Sequence, residues 1–354
     1  MEKIFPGTKS LSLLLLLTGS LVWMLLPTQS VRAATFDVNL STDAVDADTD
    51  DGVCDTDLDT SGEQCTLRAA IQQANATAGA DVITFNSSLN GTPITLTVSG
   101  SPNEHAAEWG DLDITDDLTI NGNGATLTVI DASALSPRER VFQILSGTTV
   151  EINDLTITGG LSPGSIDDYP NPNTWGGGIL NNGNLTLNQV HITGNTAGTR
   201  GGGLYFQGGT SIINHSTIYA NTSATSGAGI FADSTLTIHN STISNNISGD
   251  NGGGVFVFNN TTTLNYVTVV NNVADADNFE GGYGGGLSNL FGTLNIMSSL
   301  IAYNTVGSTG SGPQCGGGPS FGPITSLDYN LIQTTTDCTI VGTTTNNLSG
   351  DLLA

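Results

Sequence analysis

The sequence predicts an all-β fold, a right-handed parallel β-helix solenoid with a short N-terminal α-helical cap. Three observations predict it: a repeat that begins with glycine, alternation of aliphatic and polar residues within each repeat, and a single helical pattern near the N-terminus. A period of roughly 20 to 50 residues is typical of solenoids. In such folds each coil buries its apolar residues only against neighbouring coils.

The repeat is clearest where "GGG" or "GAG" begins a unit. The unit starts are 25, 26, 25 and 32 residues apart, at Gly176, Gly201, Gly227, Gly252 and Gly284. Aliphatic residues at every second position predict two short strands per unit, with side chains alternately inside and outside. In the first unit the predicted inward residues are Leu185, Leu187, Val190 and Ile192, and the predicted outward ones are Thr186 and His191. We expect strands of successive coils to pair in parallel, about 4.8 Å apart.

Asparagine recurs three residues after the last inward aliphatic residue of each unit, at Asn195, Asn221, Asn246, Asn272 and Asn304. Asparagine tolerates the left-handed turn conformation, and its amide can pair with copies of itself in the coils above and below. These residues therefore predict an asparagine ladder at one corner. Asn188 and Asn214 predict a second one between the two strands, and the glycine triplets permit another corner where φ is positive.

We divide the chain into three parts: 1–33 as a signal peptide, 34–78 as an acidic segment with a helical cap, and 79–354 as one parallel β-helix. The inward pattern extends upstream of the glycine repeats, through Val150 and Ile152, and downstream with weaker register. We count roughly ten coils, each one repeat long, with no linker that would separate a second domain. We expect the last coil, which ends in "NNLSGDLLA", to be incomplete or the chain to be truncated.

The first 33 residues resemble a secretory signal, because two lysines precede the apolar run Leu11–Leu26 and the small-residue stretch "SVRAA". Val31 and Ala33 stand three residues and one residue before the expected cut, so the mature chain begins near Ala34. A membrane anchor is the alternative, but the run is broken by a Gly-Ser pair and is short for a span of about 20 apolar residues. We expect a secreted or cell-surface monomer without a transmembrane span in the mature chain.

The charge excludes nucleic acid as a partner. The chain has 7 basic and 32 acidic residues, a net charge of −25, and only four of the basic residues follow the signal. Such a surface repels nucleic acid and anionic membranes. Polar, uncharged coils instead favour a polysaccharide or a cell-surface protein as the partner.

The four cysteines of an exported chain favour disulfides over metal or redox chemistry. Their clustering predicts the pairs Cys54 with Cys65 and Cys315 with Cys338.

The stretch "QCTLRAAIQQAN" predicts the helical cap. One face carries apolar residues, namely Leu67, Ala70, Ile71 and Ala74, and the opposite face carries Arg68, Gln72 and Gln73. Thr66 is the expected N-cap. The first coil of a solenoid exposes apolar core and unpaired strand edges. The helix directly precedes "DVITFN", the expected first strand, and so lies where a cover is needed.

The segments "DDGVCDTD", "CTLRAAIQQAN" and "GADVITF" resemble the N-terminal signature of the bacterial CSLREA-domain proteins. Thr66 stands for the serine of that motif and Ala69 for its glutamate, which removes any ion pair or cap hydrogen bond of the glutamate. The coils are similar in style to pectin-lyase-like β-helices and to polymorphic outer-membrane repeats. The resemblance implies a secreted or surface-exposed protein, usually without an assigned activity, and it supplies no catalytic residues.

The acidic segment is the candidate metal site. Alternate carboxylates can converge on calcium where the chain turns at Gly52, and the tentative ligands are Asp46, Asp48, Asp50, Asp51 and Asp55. The alternative is a flexible acidic lead-in that the first disulfide pins to the helix. Calcium is the only cofactor that the sequence suggests.

Two insertions at the same corner are candidate glycan-binding loops, and their residues are Asp167, Asp168, Tyr169, Trp175, Asp275, Asp277, Glu280 and Tyr283. They lie four coils apart, about 19 Å by strand spacing. That distance is too long for the paired carboxylates of glycoside hydrolysis, which need about 5 to 10 Å. Arg200 stands alone before a glycine corner and is interpreted as a solvated turn arginine.

These features favour a non-enzymatic, exported β-helix that binds glycans or proteins, since the sequence shows no catalytic constellation. The alternative is a calcium-dependent polysaccharide lyase or another carbohydrate-active enzyme of the pectin-lyase-like fold. The two differ in one respect that a structure can test. An enzyme should bring acidic residues and an arginine within a few ångströms across adjacent coils.

Overall fold

The computed structural model describes residues 33–100, 104–164, 171–279, 281–316 and 321–350. The predicted signal peptide, apart from Ala33, lies outside these residues. Nearly all of the regular structure is strand, arranged in four sheets whose strand pairs are all parallel. The predicted all-β parallel β-helix is thereby confirmed. No helix of the described residues is long and apolar enough to span a membrane.

We name the four sheets A to D and define them by their strands below. Each complete coil passes through them in the order C, A, B, D. Sheet A contains Thr35–Val38, Asp81–Phe85, Leu118–Asn121, Thr149–Asn153, Asn184–Asn188, Thr210–Asn214, Thr235–His239, Thr261–Asn265, Thr293–Met297, Ile324–Leu327 and Ile340–Thr343. Sheet B contains Ile94–Thr95, Val129–Asp131, Thr156–Thr158, His191–Thr193, Thr217–Tyr219, Thr242–Ser244, Thr268–Val270, Leu300–Ala302, Leu331–Ile332 and Leu348–Ser349. Sheet C contains Leu112–Ile114, Phe142–Ile144, Ile179–Asn181, Leu204–Phe206, Ile230–Ala232, Val255–Val257, Leu287–Asn289 and Cys315–Gly316. Sheet D contains Leu161–Ser162, Thr196–Ala197, Thr222–Ser223, Ile247–Ser248, Val273–Ala274 and Thr305–Val306.

The predicted alternation of inward and outward residues is confirmed. Leu185, Leu187, Val190 and Ile192 are buried, whereas Thr186 and His191 are partly exposed. The sequence predicted only two strands per coil, those of sheets A and B. Strands of sheets C and D, such as Ile179–Asn181 and Thr196–Ala197, hold two or three residues, which is too short a stretch for alternation to be visible.

The inner asparagine ladder is present as predicted. Its five members are all buried, from Asn195 to Asn304. In a typical step, Asn221 Nδ2 donates to Asn246 Oδ1 at 3.0 Å and to Ile192 O at 2.9 Å. The backbone N–H of Asn221 donates to the same Oδ1 at 3.0 Å. Each amide therefore forms hydrogen bonds with polar groups at the corner of adjacent coils, without a charged side chain.

The glycine corner leaves the space that this ladder fills. The first glycine of each triplet has a positive φ, for example 68° at Gly201. The third glycine packs against a ladder amide, since a Cβ at Gly229 would lie 2.9 Å from Asn246 Nδ2 and 2.5 Å from Gly254 O. The glycine triplet and the asparagine are thus two parts of one packing arrangement.

The second predicted ladder lies on the outer side and is only partly buried. Asn214 Nδ2 donates to Asn188 Oδ1 at 2.8 Å, and Asn188 Nδ2 donates to Asn153 Oδ1 at 2.8 Å. The ladder also includes Asn121 and ends where His239 takes the asparagine position.

A strand that the sequence did not predict precedes the helical cap. Thr35–Val38 pairs in parallel with Val82–Phe85 and forms the edge of sheet A. The β-helix therefore begins before the helix, and "DVITFN" forms the second strand. The segment 34–78 is thus not only an acidic lead-in with a cap, because its first residues belong to the solenoid.

The helix runs from Leu67 to Ala76, and the Thr66 hydroxyl accepts from the Ala69 amide at 3.2 Å, which confirms the expected N-cap. Asn75 Nδ2 donates to Asp113 O at 2.8 Å, and Thr115 N donates to Asn75 Oδ1 at 2.9 Å. These bonds satisfy the free edge of Leu112–Ile114, the terminal strand of sheet C. The helix thus takes the place of a missing strand, as a cap must.

The face of the helix that we expected to be polar and outward is buried. Arg68, Gln72 and Gln73 are 0%, 9% and 1% exposed. The amphipathic pattern failed here because the acidic segment lies over this face: Asp46 N donates to Gln72 Oε1, and Gln73 Nε2 donates to Thr49 O.

Arg68 joins three parts of the cap. Its Nε donates to Asp43 Oδ1 at 2.7 Å and its Nη2 to Asp43 Oδ2 at 3.1 Å. Its remaining bonds go to the carbonyl oxygens of Ala107, Gly110 and Asp111. Asp43 in turn accepts from the amides of residues 97 and 98. The ion pair is buried and its polar atoms are satisfied, which is the condition under which such a pair is tolerated.

Both predicted disulfides are present, Cys54–Cys65 and Cys315–Cys338. The first joins the acidic segment to the residue before the helix N-cap. Two disulfides without a free cysteine among the described residues are typical of an extracellular protein.

We expect Asn246→Ala to lower the free energy of unfolding by about 2–4 kcal/mol, because it leaves buried groups of two coils without partners. Asn214→Ala is the matched control, since water can replace the bonds of the half-exposed outer ladder, and it should cost less than about 1 kcal/mol. Chemical denaturation measures both. Equal losses would contradict the assignment of the inner ladder as the main corner support.

We expect Arg68→Ala to destabilise the protein by about 3–5 kcal/mol, because Asp43 would remain as an unpaired buried charge. The double variant Arg68→Met with Asp43→Asn removes both charges and should recover part of the loss. Thermal unfolding of the two variants and the parent measures this. A double variant no more stable than Arg68→Ala would show that the ion pair is not the cause.

Candidate functional site

Four of the five tentative calcium ligands accept hydrogen bonds from backbone amides of their own segment. Asp46, Asp48 and Asp51 each accept from the amide two residues later, at 3.0, 3.1 and 2.8 Å, and Asp55 does the same at 3.0 Å. Burial raises the pKa of Asp46, and the charges of Asp51 and Asp55 add to this, against two backbone hydrogen bonds. No group of three or more His, Cys, Asp or Glu side chains in the described ranges is arranged to hold a metal ion. Calcium binding stays a prediction.

The candidate glycan-binding loops are only partly described, since Asp167, Asp168, Tyr169 and Glu280 lie outside the described residues. Trp175 is buried, and its ring stacks on Tyr205 with the ring centroids 4.8 Å apart. The stack continues through Phe231 and Phe256 on the outer side of sheet C. Trp175 therefore offers no free ring face to a glycan. The prediction failed because this outer face carries an aromatic row of its own.

Asp275 is fully buried as well. Its carboxylate accepts from Thr309 N at 3.0 Å and from Thr309 Oγ1, so it fixes a turn of the next coil. Asp277 is exposed, and Tyr283 packs against Phe321 with a centroid distance of 5.1 Å. The described members of the two loops thus do not form one surface, and a role for Asp277 and Tyr283 in glycan binding stays a prediction.

Arg200 is not a solvated turn arginine. Its guanidinium lies 5.1 Å from the centroid of Phe231 and 5.7 Å from that of Phe258, and the residue is half-buried. A cation over an aromatic face is attracted by the ring quadrupole. Arg200 therefore covers the aromatic row.

An arginine does meet carboxylates across adjacent coils, at a place that the sequence did not indicate. Arg140 Nη1 donates to Asp111 Oδ2 at 2.9 Å, and the two residues lie next to paired strands of sheet C. Arg140 also donates to Gln143 Oε1 at 2.7 Å and to the carbonyl oxygens of Pro172 and Trp175. We name Asp111, Asp113, Glu139 and Arg140 the acidic cluster.

Glu139 is the half-exposed carboxyl of the acidic cluster. Its Oε2 accepts from the backbone amide of Asp111 at 3.1 Å and occupies the space beside Gly110, where a side chain would overlap it. Burial raises the pKa of Glu139, and the Asp111 carboxylate adds to this, while Arg140 opposes it.

Asp113 is the fully buried carboxyl of the cluster. It lies on the outward side of Leu112–Ile114, and neither of its carboxyl oxygens makes a hydrogen bond of good geometry. The Nδ1 atom of His105 lies 3.6 Å from Asp113 Oδ1. Burial raises the pKa of Asp113 to about 9, with added repulsion from Asp111 and Glu104. Groups perturbed in this way are concentrated at functional sites.

One cavity is lined by residues of the cluster, and a second lies beside the cap. One has a volume of about 290 Å³ and is lined by Asp111, Glu139, Arg140, Ser162, Pro163, Gly164, Asn171 and Asn173. The buried Ser162 hydroxyl has no hydrogen-bond partner among the described residues. The other is a groove of about 650 Å³ beside the cap, and Trp109, which is 43% exposed, forms part of its wall. Trp109 precedes Asp111 by two residues, so one loop contributes to both cavities.

The sequence contains only a weak indication of the acidic cluster. Asp111 and Asp113 alternate with aliphatic residues in "DLDI", which indicates two carboxylates on one outward face. Arg140 stands 29 residues after Asp111, close to one coil. The glycine repeat, however, starts only at Gly176 and did not give the register upstream of it.

We expect Asp113→Asn to stabilise the protein increasingly as the pH rises from roughly 4 to 9. The folded pKa of about 9 exceeds the ordinary 3.8, so the folded state binds the extra proton. The parent therefore loses up to about 1.4 kcal/mol per pH unit in this window. Asp113→Asn removes this slope. Melting temperatures at pH 5 and pH 8 test it, with the exposed Asp37→Asn as control, and equal pH slopes in Asp113→Asn and the parent would contradict it.

No protein-family model matches the chain, so the likeness to CSLREA-domain proteins remains a resemblance. No curated protein matches it either. Among solved structures, the chain is similar to the crystal structure of pectate lyase Pel9A, with a TM-score of 0.50 and 11% identity over 90% of this chain and 79% of that chain. At this identity the likeness concerns the fold. The chain shares a pectate-lyase-like parallel β-helix with that protein.

Proposed function

We propose that the protein is an exported carbohydrate-active enzyme that hydrolyses ester groups on a polysaccharide. The observation that carries this proposal is the pair Asp111 and Glu139, which lines a cavity beside Arg140 across two adjacent coils. Arg140 pairs with the Asp111 carboxylate at 2.9 Å, and burial raises the pKa of Glu139. A carboxylate beside a carboxylic acid is the arrangement that general acid–base catalysis requires.

The short distance between Glu139 and Asp111 favours ester hydrolysis over cleavage of the glycan chain. Glycoside hydrolysis uses carboxyl groups about 5 to 10 Å apart, whereas the Glu139 carboxyl accepts from the backbone amide of Asp111 itself at 3.1 Å. Lyase chemistry needs a base that removes a carbon-bound proton. Arg140 is committed to four oxygen acceptors.

In the proposed reaction a water molecule attacks the ester carbonyl carbon, and its proton passes to Asp111. The Ser162 hydroxyl, which has no partner among the described residues, donates to the oxyanion that forms. The bond from carbon to the alkoxy oxygen then breaks, and that oxygen takes the proton of Glu139. The products are a carboxylic acid and an alcohol, and transfer of the proton from Asp111 to Glu139 restores the starting protonation of the pair.

Two features support a polysaccharide as the carrier of the ester. A solved structure that shares this fold is a pectate lyase, although fold alone does not define a substrate. The exposed ring of Trp109 lies two residues from Asp111 and offers a stacking surface for a sugar. The sequence favoured a non-enzymatic binding module because it shows no catalytic constellation, and our proposal differs because it assigns that role to the acidic cluster.

We expect the protein to release acid from methyl-esterified or acetylated polysaccharides. Glu139→Gln and Asp111→Asn should each lower the rate by about 10²–10⁴-fold, the usual contribution of a general acid or base. Activity should fall as the pH rises through the raised pKa of Glu139. Titration of the released acid measures the rate. Glu151→Gln, on the exposed side of sheet A, is the matched control and should leave it unchanged.

Other products would contradict this function in distinct ways. Unsaturated products would indicate a lyase, and new reducing ends would indicate a glycoside hydrolase. Binding of the polysaccharide without any product would support the non-enzymatic module instead.

A further inference from the structure

We propose a proteolytic processing site between Ala33 and Ala34, and we infer that the α-ammonium group released there pairs with the buried carboxylate of Asp81. The sequence places a signal cleavage near this bond. The structure supports cleavage at this bond in particular. The nitrogen of Ala34, which would become the new N-terminus, already donates to the carboxylate of Asp81.

Sheet A fixes the position of Ala34. The backbone N–H of Ala34 donates to Asp81 Oδ1 at 2.6 Å, and its carbonyl oxygen accepts from Val82 N at 2.9 Å. The next residue, Thr35, begins the edge strand that pairs in register with Val82–Phe85. The nitrogen of Ala34 is therefore positioned by its bond to Asp81 and by the strand pairing that begins at the next residue.

Asp81 lacks a cationic partner among the described residues. It is 0% exposed, its Oδ2 has no hydrogen-bond partner, and none of the three ion pairs in the described residues includes it. Burial raises the pKa of Asp81, and the charge of Asp116 adds to this, while the Ala34 amide opposes it. A buried carboxylate with one neutral donor is costly.

Cleavage converts that neutral donor into a cation. Water adds across the Ala33–Ala34 peptide bond, so Ala33 leaves as a carboxylate, and the nitrogen of Ala34 becomes an ammonium with three donors. Val31 and Ala33 are small residues at the positions that a signal-cleaving protease reads. An opposite charge at hydrogen-bond distance favours the ionised form of both groups. Processing would thus complete a buried ion pair at the edge of the solenoid.

The composition makes this terminus easy to observe. The sequence contains two lysines, Lys3 and Lys9, and both precede the proposed cut. The α-amino group of Ala34 is then the only primary amine of the processed chain. An amine-reactive reagent reports on that group alone.

The first experiment compares chains that begin at Ala34 with and without Asp81→Asn. Labelling of the folded Ala34 chain with an amine-reactive ester at neutral pH should be at least tenfold slower than labelling of its Asp81→Asn variant, because a rise of one pKa unit in the ammonium lowers the reactive fraction tenfold. Asp116→Asn is the matched control and should keep the protection. Equal labelling of the Ala34 chain and its Asp81→Asn variant would overturn the proposal.

The second experiment compares the thermal stability of two chains that differ only in whether they begin at Ala33 or at Ala34. A chain that begins at Ala34 should melt about 2–4 °C above one that retains Ala33, which displaces the ammonium by a residue. Because pairing raises the pKa of the ammonium above its ordinary value, the difference should vanish as the pH rises through that raised value. It should also vanish as the pH falls through the raised pKa of Asp81. Asp81→Asn should abolish the difference at every pH.

The terminus of the exported protein provides the direct check. Mass spectrometry of the protein secreted from the full chain should show Ala34 as the first residue. A different first residue would overturn the processing site, and an Ala34 terminus without any effect of Asp81→Asn would overturn the ion pair.

Discussion

The parallel pairing of successive coils is the constraint on which the rest of the structure depends. Each coil must repeat the path of the one before it, so every position along the path becomes a column of neighbouring side chains. A residue type that suits one position can form hydrogen bonds or contacts with the same residue type in the coils above and below. The inner asparagines do this with neutral amides, which avoid the repulsion that stacked charges would cause. The third glycine of each triplet leaves the space that those amides occupy.

A stack of coils has ends, and the N-terminal end explains the helix. The chain enters through the edge strand Thr35–Val38 and covers the free edge of sheet C with Leu67–Ala76. Arg68 then ties that helix to Asp43 and to the carbonyl oxygens of the loop that leads into the acidic cluster. The motif that identifies the cap therefore also sets the position of Asp111. The cap and the candidate site are parts of one network.

Among the described residues, the outward-facing side chains differ from one sheet to another. Sheet A presents threonine and asparagine to solvent, whereas the outer side of sheet C carries a buried aromatic row that starts at Trp175. At the N-terminal end of that same side, Asp113 takes the outward position. Carboxyl groups next to a covered apolar row lose hydration, and this raises the pKa values of Asp113 and Glu139. The chemistry that we propose therefore arises from the position of the cluster in the fold.

The sequence by itself determined the solenoid, the inner ladder and the disulfide pairs, because these depend on spacing along the chain. The tertiary structure decided which outward residues are exposed. The sequence pattern predicts surface positions for Trp175, Asp275 and Arg68. In the structure, neighbours from other coils or from the acidic segment bury all three. Asp111 and Arg140 meet only because two irregular coils are in register. Local periodicity reports which side a residue faces, but it cannot report what another part of the chain places over that side.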